Sequence, residues 1–145
     1  MDNRLCIVTL GVADLARARA FYEAMGWKAS PASQEAVTFF QGNGTALALF
    51  SRAALAHDAG VADAPTGFSA VTLACNVASE AEVDALFAKA VAQGAKALKP
   101  PQKVFWGGYS SYIADLDGHM WEIAFNPFFP LDADGRVQLP GEKQE

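Results

Sequence analysis

The chain is one half written twice, and that repetition limits its fold more than any other feature. Gly11-Val12-Ala13-Asp14 lead into a helical stretch ending at Gly26-Trp27-Lys28-Ala29, and Asn76-Val77-Ala78-Ser79 lead into another ending at Gly94-Ala95-Lys96-Ala97. Each stretch then reaches a turn, Asn43-Gly44 in the first half and Asp117-Gly118 in the second. A repeated unit buries its apolar face poorly by itself, so two copies are expected to enclose a shared cleft. Four residues beyond each turn glycine the copies differ, with Ala48 in the first and Glu122 in the second. One carboxylate where the repeat offers two places bounds what such a cleft can bind.

Residues 5–12 have the β-branched, apolar character of a strand, and Asp14 suits an N-cap. Leu15, Ala18, Phe21, Tyr22 and Met25 recur at helical spacing and give one apolar stripe, which Gly26 ends by taking a left-handed conformation. Residues 28–30, 37–41 and 46–50 read as three short strands, the last two joined by Asn43-Gly44, a pair that accepts positive φ. The first half, residues 4–51, is therefore β-α-β-β-β. Residues 52–66 are rich in Ala and Asp and carry Gly60 and Pro65, which predicts a linker with one short helix.

The second half, residues 67–127, repeats that order. A strand is predicted over residues 68–77, and Ser79 with Glu82 matches a capping box. Val83, Leu86, Phe87, Ala90 and Val91 form the next apolar stripe, stopped by Gly94. A short strand at 96–98 and an irregular passage through Pro100-Pro101 and Trp106-Gly107-Gly108 then reach a hairpin of strands 109–114 and 120–125. Pro127, Pro130 and Pro140 argue against regular structure in the tail, residues 128–145. Phe128, Phe129 and Leu131 are expected to dock on the body, and the last few residues to be mobile.

With 145 residues, 52% of them apolar, the chain suits one compact domain, or two half-domains that share one core. Its net charge of -5 and scattered basic residues argue against nucleic acid as a partner, since that affinity comes from clustered Lys and Arg. No apolar run approaches the roughly 20 residues that cross a bilayer, and no signal-peptide pattern precedes the first strand, so a cytoplasmic protein is expected. Cys6 and Cys75 lack any CxxC or Cys/His spacing and read as small buried hydrophobes.

Strand alternation assigns Cys6, Val8, Leu10 and Val12 to the helix-packed core and Ile7, Thr9 and Gly11 to the opposite face. In the second half Val71, Leu73, Cys75 and Val77 take the core side, leaving Thr72, Ala74 and Asn76 opposite. Trp121, Ile123 and Phe125 are core-like, which puts Met120, Glu122 and Ala124 on the cleft face. An apolar cleft with a few placed polar groups is what small-molecule sites look like. A desolvated Glu122 would serve there as a general base, or else as a structural carboxylate bonded to neighbouring donors. Trp106, Tyr109 and Tyr112 are candidates to line the site as a group, with Gly107 and Gly108 allowing a ligand close approach; singly, such aromatics are more often packing. His119 is expected to be exposed in the hairpin turn, nothing beside His57 in the linker suggests a partner, and Asp115 and Asp117 suit local backbone bonding.

The run Val8-Thr9-Leu10-Gly11-Val12-Ala13-Asp14-Leu15 followed by Ala20-Phe21-Tyr22, with Trp106-Gly107-Gly108-Tyr109 followed by Asp115-Leu116-Asp117-Gly118-His119-Met120-Trp121-Glu122, resembles the vicinal oxygen chelate superfamily. That superfamily includes glyoxalase I, extradiol dioxygenases, fosfomycin-resistance proteins and bleomycin-resistance proteins. The resemblance spans residues 4 to 127 and implies an α+β fold, two β-α-β-β-β modules forming a half-open barrel, in a homodimer. Metal-dependent relatives hold a divalent ion from the first and last strands of each module, places that fall here on Ile7, Ala48, Thr72 and Glu122. Only Glu122 is a strong ligand, so the usual metal site is expected to be lost, with no cofactor. The preferred reading is a metal-independent protein that binds a small organic molecule through Thr9, Thr72, Asn76, Trp106, Tyr109 and Glu122. The alternative is a glyoxalase- or dioxygenase-like enzyme that uses Glu122 as acid/base or as the ligand of a metal site placed elsewhere.

Overall fold

The computed structural model describes residues 1–64 and 67–141. Pro65 of the expected linker and the last four residues, expected to be mobile, lie outside the described residues. The chain divides into two compact units, Met1–Val71 and Thr72–Glu145.

The first unit comprises β1 (Ile7–Val12), α1 (Leu15–Ala24), β2 (Val37–Phe40), β3 (Ala46–Ser51) and α2 (Arg52–Ala59). Asp14 caps α1 as predicted, accepting a 3.0 Å bond from the Arg17 N–H, and Gly26 ends the helix region with φ +106°. The sheet runs β1-β3-β2, with β1 parallel and β2 antiparallel to β3. This register puts Leu10, Leu47, Leu49, Thr38 and Phe40 on one buried face, covered by Phe21 and Tyr22 of α1. Tyr22 and Trp27 each approach the Phe40 ring to 6.1 Å between centroids.

Several expectations for this unit are corrected. Residues 28–30 do not form a strand; they contribute one bridge, Ala29 to Phe40, and a 2.7 Å bond from the Ser30 N–H to the Phe39 carbonyl. Cys6 is exposed, because it precedes the ladder that begins at Ile7. The short helix expected in the linker is, by contrast, present as α2: the Ser51 hydroxyl caps it and Gly60 closes it at φ +73°. α2 starts across the end of β1, where a Cβ on Gly11 would stand 3.1 Å from the Arg52 Cα, so a larger residue there would push strand and helix apart.

The second unit comprises β4 (Leu73–Asn76), α3 (Glu80–Ala92), β5 (Lys96–Lys103), β6 (Tyr109–Ala114) and β7 (Met120–Phe125), in the sheet order β4-β7-β6-β5. β4 is parallel to β7, as β1 is to β3, so the copies share one topology and the α+β class holds. The Ser79 hydroxyl accepts from the Glu82 N–H at 3.2 Å, while the Glu82 carboxylate reaches one residue further back than a capping box, to the Ala78 N–H at 2.7 Å. Val83 and Ala90 of α3 are wholly buried against β5, β6 and β7.

The predicted strand over 68–77 shrinks to Leu73–Asn76. Ala70 takes φ +58°, a left-handed conformation that interrupts extended chain, and Phe68 and Val71 are left 73% and 60% exposed rather than in the core. β5 runs on through Pro100-Pro101, which an edge strand tolerates because its outer N–H groups need no partner; two register shifts accompany the prolines. The hairpin falls where expected. Its turn is held by the buried Asp115 carboxylate, which accepts from the Asp117 and His119 N–H groups, both at 2.9 Å. The tail has more order than its prolines implied, with Leu131 bridged to Val137 around Asp132, whose carboxylate accepts from the Asp134 and Arg136 N–H groups. No helix among the described residues is long and apolar enough to cross a membrane.

Candidate functional site

The pairing of β4, β7, β6 and β5 lays two rows of side chains across one face of the second sheet. Ala74, Glu122, Tyr112 and Lys99 are successive Cα partners in the first row, and Asn76, Ala124, Ser110 and Gln102 in the second. Partners share a face, so these residues lie opposite the one that α3 covers. Within this face the Ser110 hydroxyl donates to Glu122 Oε2 at 2.8 Å, and Tyr112 is the Cα partner of Glu122 on the neighbouring strand. The Tyr112 phenol is held above its ordinary pKa, first by burial and then by the negative charge of Glu122.

Two cavities open on this face. One, of about 620 Å³, is lined by Ala74, Asn76, Glu122, Trp106, Phe128 and Phe129, with further tail residues at its rim. The other, of about 340 Å³, is lined by Lys99, Gln102, Lys103 and Tyr112, and shares Trp106 and Glu122 with the first. The glycines after Trp106 explain this wall. A Cβ on Gly108 would fall 1.7 Å from the Trp106 ring, and one on Gly107 would fall 2.9 Å from the Phe128 ring. They thus admit the protein's own aromatic rings, where the sequence reading had reserved them for a ligand.

Of the six residues expected near a ligand, Asn76, Trp106 and Glu122 come together at the larger cavity. Tyr109 lies on the helix side of the sheet, its hydroxyl donating to Asp84 of α3 at 2.7 Å; this bond and the Asp84 charge raise its pKa. Thr72 is exposed ahead of β4 and lines neither cavity. Thr9 is exposed on β1 of the first unit, the Cα partner of Ala48, which is 1% exposed. Ser110, Lys99 and Gln102 were missed. Counting back through the Asp115–Gly118 turn pairs residue 112 with 122 and 110 with 124, so period-2 alternation would have placed Ser110 and Tyr112, and not Tyr109, beside Glu122.

The paired modules and the polar face grafted on the second of them define a class that the comparisons then name. Residues 4–123 match the family described as the Glyoxalase/Bleomycin resistance protein/Dioxygenase superfamily, and the chain belongs to it. A glyoxalase-related enzyme from Fulvimarina pelagi is 38% identical, with a TM-score of 0.88 over 97% of this chain and 100% of that one. Two further solved structures share the fold. A glyoxalase/bleomycin resistance protein/dioxygenase family enzyme from Burkholderia phytofirmans has 19% identity and a TM-score of 0.77, covering 84% of this chain and 98% of its own. Lactoylglutathione lyase from Agrobacterium tumefaciens has 23% identity and a TM-score of 0.62, covering 86% and 95%. Comparison with curated proteins finds no match.

The donors at the positions used by metal-dependent relatives do not fit a divalent ion. In the first unit the Ile7 and Ala48 side chains carry no lone pair; in the second, Thr72 is an exposed hydroxyl ahead of its strand, and one oxygen of the Glu122 carboxylate is engaged by Ser110. Among the described residues no three His, Cys, Asp or Glu side chains gather as a ligand set.

Proposed function

We propose that the protein binds a small organic molecule in the larger cavity of its second unit, with Glu122 as the polar anchor. The observation that carries this reading is the lining itself: three aromatic rings and several aliphatic side chains surround one carboxylate and two amides, Asn76 and Asn126. Phe128 and Leu139 remain 61% and 68% exposed although they border the cavity, so a ligand there would remove apolar surface from water. The Glu122 carboxylate, with Ser110 bonded to one oxygen, keeps acceptor capacity for a donor group on the ligand.

The test is thermal unfolding in the presence of a broad panel of metabolites and antibiotics. A ligand at about a hundred times its Kd adds about 2.7 kcal/mol, a rise of several degrees in Tm. Glu122→Gln and Trp106→Ala should each abolish most of that rise. A panel in which no compound shifts the transition, or a shift indifferent to both substitutions, ends this reading.

A second reading, an enzyme that uses Glu122 as acid or base, draws on the 38% identity to a protein described as a glyoxalase-related enzyme. The same carboxylate serves both readings. Glu122→Gln separates them: turnover lost while a ligand still binds favours catalysis, and equal loss of both favours sequestration.

A further inference from the structure

The smaller cavity has a chemistry of its own. Lys99, Gln102 and Lys103 line it from the strand at the edge of the sheet; Lys99 and Gln102 share the Glu122 face, while Lys103, the Cα partner of Tyr109, borders it from the end of that strand. Neither lysine has an ion-pair partner among the described residues, although the protein as a whole is acidic. Uncompensated cations beside a cavity recognise anions. Trp106 and Glu122 line both cavities, so the two adjoin.

We propose that the smaller cavity takes the anionic group of the ligand whose apolar body fills the larger one, so that the ligand class is an amphiphilic organic anion. This rests on the binding function proposed above. The Glu122 charge does not forbid it. Tyr112 is the Cα partner of both Glu122 and Lys99, which places two strand spacings, about 10 Å, between those residues. An anion held at the edge strand lies nearer the lysines than Glu122, which also borders this cavity and reduces their attraction without cancelling it.

Fluorescence titration with two probes that differ in one charge tests this. 1-Anilinonaphthalene-8-sulfonate carries an aromatic body and an anion; N-phenyl-1-naphthylamine carries the same body without the anion. The first should bind the full chain more tightly. Lys99→Gln combined with Lys103→Gln should weaken it roughly fivefold, the size expected of two exposed charge pairs, with the loss shrinking as salt is raised. The uncharged probe should bind the double variant unchanged, which also reports that the fold is intact. Unchanged binding of the sulfonate, equal weakening of both probes, or a cationic probe such as 1-naphthylmethylamine binding best would overturn the anion assignment. The underlying reading fails in a different way, when binding of the uncharged probe does not respond to Trp106→Ala.

Discussion

The same place in the two copies has been given opposite tasks. In the first unit Ala48 lies between Thr9 and Phe39 and is closed off from solvent; in the second, Glu122 lies between Ala74 and Tyr112 and opens on two cavities. The strand orders correspond, β1-β3-β2 with β4-β7-β6, yet only the second sheet carries an added edge strand with Lys99 and Gln102. The first copy spends its row on packing and the second spends it on polar chemistry. A duplicated fold therefore need not hold a symmetric row, because one half can pack the position at which the other carries a carboxylate.

The strongest way to break this comparison is to make the copies alike. Ala48→Glu places a carboxylate in a position that is 1% exposed, with Thr9 as the only polar neighbour in its row. An uncompensated buried charge costs about 3 kcal/mol or more, which for a chain of this size lowers Tm by about 10 °C. Ala48→Gln, similar in size and uncharged, should lose less. Thermal unfolding that finds Ala48→Glu within a degree or two of the parent would show that the first copy also accepts a carboxylate.

The turns differ as well. Gly44 lets the first hairpin turn at φ +96°, whereas the second is braced by the Asp115 carboxylate through two backbone N–H groups. Asp115→Ala leaves both donors short of an acceptor in a partly buried turn and should cost about 2 kcal/mol, read by chemical denaturation. Glu122→Ala, which copies the first unit into the second, should cost only about 1 kcal/mol, since the buried Ser110 hydroxyl loses a single bond, to a half-buried carboxylate. Should Glu122→Ala prove the more damaging of the two, the carboxylate is a structural element and not a ligand anchor.

Much of this contrast was legible in the residues. The Ala48/Glu122 difference, both helices with their Asp14 and Ser79 caps, and the hairpin around Asp117-Gly118 follow from patterns that act locally. What escaped depends on conformation or pairing that no local pattern encodes. Ala70 breaks a run that looks continuous, because its positive φ leaves no mark in an apolar stretch. β5 crosses two prolines because the edge of a sheet forgives them, and this is why Lys99 and Gln102 were not connected with Glu122. Tyr109 and Tyr112 are both expected beside the carboxylate, yet alternation leaves that place to Tyr112 alone and turns Tyr109 to Asp84.

The smallest expected effect is also the most specific, since it follows two tyrosines on opposite faces of one strand. Tyr112 and Tyr109 both ionise above their ordinary value, Tyr112 chiefly through burial and then through Glu122, Tyr109 chiefly through its bond to Asp84. Glu122→Gln should lower the Tyr112 midpoint while leaving it raised, because burial persists, and should leave Tyr109 unmoved; Asp84→Asn should do the reverse. NMR of ring-labelled tyrosine resolves the two. Because each pKa is higher in the folded chain than in the unfolded one, the stability they contribute is complete below about pH 10 and is lost as pH climbs through the raised folded values. The parent should therefore lose stability with rising pH over a wider alkaline window than Glu122→Gln does. If Glu122→Gln shifts Tyr109 and spares Tyr112, the carboxylate is on the helix side of the sheet and the two-row site does not exist.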